Sequence, residues 1–142
     1  MDTLLISLHP RHSQNILSGK KTIELRKTNP RPVDKVLIYE TLPTASIVGW
    51  FEVSRVHVYK SDKWAEKTDW GMARQKDLQL TREEILNYLG QKPGYGIVIR
   101  QLKRIAPIPL SRMREIGILP PQGYRYLNDE MIEKLGVEFN DR

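Results

Sequence analysis

The hydrophobic positions fall in short runs whose period changes along the chain. Leu4-Leu5-Ile6-Ser7-Leu8 is almost continuously apolar, the mark of a strand buried on both faces. Pro10 suits the first turn of a short helix, and Gly19 is a helix-terminating residue, so that strand leads directly into a helix. Thr22-Ile23-Glu24-Leu25-Arg26 then alternates strictly. On an extended chain this puts Ile23 and Leu25 on one face and Thr22, Glu24 and Arg26 on the other. Asn29-Pro30-Arg31-Pro32 breaks the pattern as a loop. Residues 35–40 read as a mostly apolar strand and residues 46–59 as a long β-rich run. The apolar phase of that run shifts between Val53 and Val56, which predicts a bulge of the kind that lets a sheet curl into a barrel.

Residues 61–80 are helix or loop by pattern, with Trp64 and Trp70 placed to cover one barrel end. Thr81-Arg82-Glu83-Glu84 matches a capping box, and Ile85, Leu86, Tyr88 and Leu89 continue it as a helix stopped by Gly90. Residues 95–102 form another strand, and residues 107–110 must be extended at an edge or outside the ladder because of Pro107 and Pro109. Ser111 is placed to cap a short helix ending near Gly117, residues 120–127 read as a loop, and Asn128 caps a terminal helix that stops at Gly136. The tally of five or six strands with short helices between them lacks the regular alternation of a doubly wound sheet. It predicts an α+β fold, a small curved β-barrel with short flanking helices.

Composition narrows the class. The 142 residues are 39% hydrophobic and 28% charged, an ordinary globular makeup. A single domain over residues 1–142 is expected to bury about 68–70% of the surface its unfolded chain exposes. There is no cysteine, which excludes disulfides, thiolate zinc, iron–sulfur clusters and cysteine nucleophiles, and fits a reducing, cytoplasmic location. The opening Met1-Asp2-Thr3 is acidic, and the apolar run that follows is too short to be a secretory or membrane-spanning segment. No membrane partner is expected.

Charge changes the picture further. Lys and Arg total 23 against 17 Asp and Glu, a formal +6. Residues 128–142 hold five acids and two bases, so the body of the chain is more basic than the total. Residues 100–114 carry five bases and no acid, and residues 11–35 carry seven bases and two acids. Such runs attract polyanions, and they equally suit a solvated surface.

The candidate chemistry starts at Gly19-Lys20-Lys21-Thr22-Ile23-Glu24-Leu25-Arg26. A glycine permits a tight turn, lysine follows, and the strand period brings Glu24 and Arg26 to one side. A carboxylate beside a guanidinium can accept from an exocyclic amine while the guanidinium meets phosphate or a base edge. On spacing alone the pair is as readily a surface pair on an exposed strand, contributing about 0–1 kcal/mol.

The octet reads G-x-K-x-x-E-x-R and resembles the signature of the ASCH domain, a relative of the PUA fold, in the same place after a first strand and helix. The strand at residues 4–8, the apolar strand at 36–39 and Gly94-Tyr95-Gly96-Ile97 are also similar to ASCH proteins. Pro120-Pro121-Gln122-Gly123-Tyr124-Arg125-Tyr126-Leu127 resembles a P-P-Q-x-[FY]-R-[FY]-L segment of ASCH-like proteins described as transcriptional regulators. The resemblance implies a PUA-like barrel whose cleft is lined by Lys21, Glu24 and Arg26, with RNA binding as the general role. Small enzymes resembling this fold deacetylate N4-acetylcytidine with a Lys, a Thr and a Glu. Lys21 carries over from that set, while Glu24 stands where the Thr would be. Other members are described as nucleases.

Two further groups attach to that cleft. Tyr124, Arg125 and Tyr126 place two rings around a guanidinium, and such planes stack on unpaired bases at about 1–3 kcal/mol per base. The same rings could simply anchor a loop on the core. His9 and His12 lie three apart without the further ligands a metal needs. His9, at a strand end, is placed to bond a base or sugar, and His12 equally suits helix capping. No Gly-rich phosphate loop and no G-x-S-x-G turn occurs. Neither metal nor cofactor is expected.

The expected function is therefore binding of RNA or a nucleotide. Lys21 and Arg26 hold phosphate or sugar, and Glu24 accepts from a base amine. Tyr124, Arg125 and Tyr126 form a stacking wall, and Lys103, Arg104, Arg112 and Arg114 supply longer-range attraction. The alternatives are an enzyme in the same cleft, with Lys21 and Glu24 catalytic on an acylated nucleoside or on RNA, and a regulatory protein-interaction module.

Overall fold

A computed structural model describes residues 1–59, 75–90 and 92–139. Trp64 and Trp70, expected over a barrel end, lie outside those residues. The mostly apolar first run becomes the strand β1 (Thr3–Leu8), followed by the helix α1 (Pro10–Leu17) and the strands β2 (Ile23–Arg26), β3 (Lys35–Glu40) and β4 (Ser46–Tyr59). Then come α2 (Arg82–Leu89), β5 (Gly94–Pro109), α3 (Leu110–Glu115), β6 (Tyr124–Leu127) and α4 (Asp129–Leu135). The six strands form one sheet in the order β2-β5-β4-β3-β1-β6. β1 and β3 are parallel, which obliges the chain to cross over between them through α1 and β2.

β1 explains the layering. Leu4, Ile6 and Leu8 pack with Ile16, Ile38, Phe51 and Ile97 inside the curl of the sheet. Leu5 faces the other way, against Leu37, Trp50, Met113, Leu127 and Ile132, which α3 and α4 help to cover. A third cluster joins Ile23 and Leu25 of β2 to Ile85 and Leu89 of α2. The strict alternation of residues 22–26 therefore buries one face of β2 under α2 and leaves Glu24 and Arg26 on the other.

The expected bulge is present: the β4–β5 register shifts between Val53 and Arg55, and again near Gly49 and Trp50. These shifts bend the sheet until its two edges approach. Thr28, just beyond β2, shares a 2.8 Å hydroxyl hydrogen bond with Tyr124 of β6, the opposite edge strand. Arg31 donates its backbone N–H to the Tyr126 hydroxyl at 2.7 Å. The result is a curled half-barrel with short helices, an α+β fold. Among the described residues no helix is long and apolar enough to cross a membrane.

Three local expectations need correction. Residues 124–127 are a strand rather than loop, because β1 has a second edge that their alternating Tyr-Arg-Tyr-Leu can pair. Residues 94–109 form one continuous strand, with Gln101 at positive φ absorbing the bend. α3 begins at Leu110 behind Pro109 with no side-chain cap, so Ser111 lies inside the helix. The caps at Thr81 and Asn128 form as expected: Thr81 and Glu84 bond reciprocally, and Asn128 accepts from the Met131 backbone N–H at 2.9 Å.

Gly49 marks a close approach to backbone. A Cβ there would lie 2.6 Å from the Lys103 carbonyl oxygen and 3.0 Å from a Leu17 methyl of α1. Gly49→Ala should destabilise the fold by about 1–3 kcal/mol through overpacking. Gly123→Ala, whose Cβ meets nothing within 4 Å, should stay within about 0.5 kcal/mol. Urea unfolding of the two variants against wild type measures the difference, and equal midpoints would refute the close-approach argument.

Candidate functional site

Gly19 adopts φ +82°, a left-handed turn that a side chain would strain, and so ends α1 sharply. The backbone N–H of Lys21 then bonds the Asn15 carbonyl, and that of Thr22 bonds the Asp77 carbonyl. This fixes the start of β2 and turns the Lys21 side chain inward, where it is 2% exposed. Its Nζ donates to the Leu78 carbonyl at 2.6 Å and lies 3.3 Å from Glu24 Oε1. The other oxygen of the same carboxylate, Oε2, is 3.1 Å from Arg26 Nη2. Glu24 is thus a buried carboxylate clamped between two cations.

These three side chains line the floor of a cavity of about 390 Å³, completed by Ser7 and Leu8 of β1, His9, His12, and Leu80, Glu84 and Tyr88. That volume lies within the range of small-ligand pockets. The cluster on its floor holds two cations against one anion. A net positive charge taken out of water is costly unless further groups meet it. Among the described residues, two buried polar atoms of the lining side chains, Arg26 Nε and His12 Nδ1, have no hydrogen-bond partner, and unpaired buried groups of this kind are uncommon. An anionic or carbonyl-rich guest beside Arg26 would offset that charge.

The rim is tied across two helices. Arg11 of α1 makes a two-pronged contact with Glu84 of α2, at 2.7 and 3.0 Å. The Arg11 hydrogen bonds, with the Thr81 backbone, hold the Glu84 carboxyl down to about 2. Burial, reinforced by the Lys21 charge and opposed by Glu24, lowers the His12 pKa and favours neutral imidazole. Burial raises the Tyr88 hydroxyl above its ordinary value.

Of the residues singled out in the sequence, the fold brings His9, His12, Lys21, Glu24 and Arg26 together at this cavity. The others lie elsewhere. Tyr124 and Tyr126 are half-buried at the barrel seam, edge to face at 5.9 Å. Arg125 projects from the opposite face of β6, where it donates to the Leu119 carbonyl at 3.2 Å. Lys103 and Arg104 sit on β5 opposite Trp50 and Gly49. Arg112 and Arg114 are exposed on α3, whose Met113 packs on the outer core, and Arg112 pairs with Glu115. Cavity residues not picked out from the sequence as site residues include His12, Ser7, Glu84 and Tyr88. The signal for the last two was the spacing of four residues within α2, which places both on one helix face.

The ASCH domain family profile matches residues 6–106. A protein of Zymomonas mobilis named ASCH domain-containing ribonuclease is 29% identical over 136 residues, 92% of this chain and 88% of that one. The crystal structure of ASCH from Zymomonas mobilis superposes with a TM-score of 0.79 at 27% identity, covering 94% of this chain and 93% of that one. A crystal structure of a single-residue variant of the Zymomonas mobilis protein gives a TM-score of 0.81, again at 27% identity and covering 94% of both chains.

His12 supplies a pH test. Its folded pKa lies below the unfolded value, so the unfolded chain takes up the proton first as pH falls. Its contribution is complete above the unfolded pKa of about 6.5 and is lost as pH falls below it. Wild type should lose stability between pH 7 and pH 5 more steeply than His12→Gln, read from urea midpoints. Parallel curves would show that the ring is not held neutral.

Proposed function

The chain belongs to the ASCH domain family, and from that membership we propose that it binds single-stranded RNA and seats one nucleotide in the cavity over Lys21, Glu24 and Arg26. The observation that carries this reading is the buried, net-positive ion cluster, with Arg26 Nε unpaired among the described residues. A phosphate or a base carbonyl is the guest that completes it. Arg26 is the direct contact. Lys21, already engaged by the Leu78 carbonyl and Glu24, acts chiefly by positioning the carboxylate, whose remaining lone pairs accept from a base amine. The excess basic charge of residues 1–127 supplies the longer-range attraction, in part through Lys103, Arg104, Arg112 and Arg114. The ribonuclease name of the Zymomonas mobilis relative supports RNA as the polyanion.

That same name, together with a neutral imidazole on the cavity wall, favours one second reading: cleavage of the bound strand. Neutral His12 can take the proton of a ribose 2′-hydroxyl as its oxygen bonds the adjacent phosphorus; the P–O5′ bond breaks, the departing 5′-oxygen takes a proton from water, and Lys21 and Arg26 offset the charge that develops on the phosphate. Deacetylation of N4-acetylcytidine has less support, because Glu24 occupies the position of the required threonine.

Arg26→Ala should weaken binding of a short single-stranded RNA by about 10- to 150-fold, the worth of a hydrogen bond to a charged group. Wild-type affinity should fall with salt, with a slope near −0.7 per neutralised phosphate. Fluorescence anisotropy measures both, and an unchanged affinity for Arg26→Ala or a salt-independent one would overturn the binding reading. For cleavage, purified wild type should degrade the same RNA and Lys21→Ala should lose that activity. Equal turnover by both, or by neither, removes the enzyme reading.

A further inference from the structure

By sequence, Tyr126 neighbours Arg125; in the fold, the guanidinium over its ring belongs to Arg31. The Arg31 guanidinium carbon lies 3.8 Å from the ring centroid. Two more tethers hold it there. The Arg31 backbone N–H donates to the Tyr126 hydroxyl at 2.7 Å, and Nη2 lies 3.3 Å from Asp2 Oδ2. Tyr126 is itself fixed, edge to face, by Tyr124, whose hydroxyl bonds Thr28. The guanidinium is therefore a plane with one face on a ring and the other open, its side chain 65% exposed. An arginine plane immobilised in this way has already lost the rotamer entropy that stacking would cost, and nucleobases stack on such planes as well as on aromatic rings.

Beside this plane lies a second cavity of about 390 Å³, walled by Pro30, Arg31, Val33, Arg55, Val56 and Ile97. Among the described residues Asp34 is the one acid on its lining. Its floor adjoins the first cavity, because Ile97 is the ladder partner of Glu24 across β2 and β5. Two recesses of equal volume, one polar-floored and one apolar-floored with cationic walls, thus sit on neighbouring positions of one ladder.

We propose that the second cavity is the subsite for the nucleotide next to the one bound at Arg26, with its base stacked on the outer face of Arg31 and its phosphate facing Arg55. The strand then runs along the barrel seam from Arg26 to Arg31. This subsite rests on the RNA reading above, and its test separates the two. With a short single-stranded RNA, Arg31→Ala should lose about 5- to 150-fold in affinity, the range for one stacked base. Affinity for a lone nucleoside monophosphate should be unchanged in Arg31→Ala and reduced in Arg26→Ala. Removing the base 5′ or 3′ to the seated nucleotide, each in turn, should abolish the Arg31→Ala loss for one of the two positions. Arg31→Lys keeps the charge and the loop anchor but has no plane, and should show most of the loss even if the alanine variant unfolds. Wild-type affinity in Arg31→Lys, or a loss that persists on both abasic strands, overturns the subsite and leaves the first cavity standing. Wild type that binds neither RNA nor nucleotide overturns both.

Discussion

A carboxylate that cannot leave the interior organises this molecule. Glu24 is buried on a four-residue strand, with Lys21 on one oxygen and Arg26 on the other. Removing either partner from such a cluster strands a charge, which is why clusters of this kind are rigid even when their net contribution to stability is small. Each member is held by a different feature of the chain. The Gly19 turn aims Lys21, the Leu78 carbonyl fixes its ammonium, and the β2 ladder with β5 places Glu24 and Arg26 two residues apart on one face. The opposite face of β2 is sealed under α2 by Ile23 and Leu25. The floor of the cavity is thus as immobile as the core beneath it, and preorganised charge of this sort costs no rearrangement when a guest arrives.

The curl of the sheet decides what that floor can reach. Register shifts along β4 and β5 bend the ladder until the chain after β2 meets β6 through Thr28 and Tyr124. The tyrosines of β6 close the seam, and in doing so they fix Arg31 as an ordered surface plane. A structural contact and a candidate recognition surface are here the same atoms. The half-buried position of both rings satisfies the loop-anchoring alternative without emptying the seam of chemistry.

Basic charge is distributed by the same geometry. Arg26 and Lys21 are inside, Arg31 and Arg55 flank the second recess, and Arg112 and Arg114 lie on α3 beyond the outer core layer. Contacts in the first two groups are short-range and directional. In the binding reading proposed above, those on α3 contribute through the long-range field, which salt screens within about 10 Å at 0.1 M.

The amino-acid pattern alone determined the elements whose causes are local. An almost continuous apolar run made β1 a buried strand, strict alternation split β2 into a core face and a charged face, and the Thr81 and Asn128 caps started their helices. Spacing alone put Glu24 and Arg26 on one face of β2, and the resemblance of G-x-K-x-x-E-x-R to the ASCH signature marked them, with Lys21, as the lining of a cleft. What tertiary structure decided were contacts between positions far apart in the chain. The pairing of 124–127 with β1 turned an apparent loop into a strand, and alternation along it sent Arg125 away from the rings it neighbours. Arg31 reached Tyr126 across 95 positions, and Glu84 and Tyr88 joined the cavity only because α2 packs over β2. Period and capping are properties of a few consecutive residues, whereas a cavity wall exists only once the sheet has curled and its edges have met.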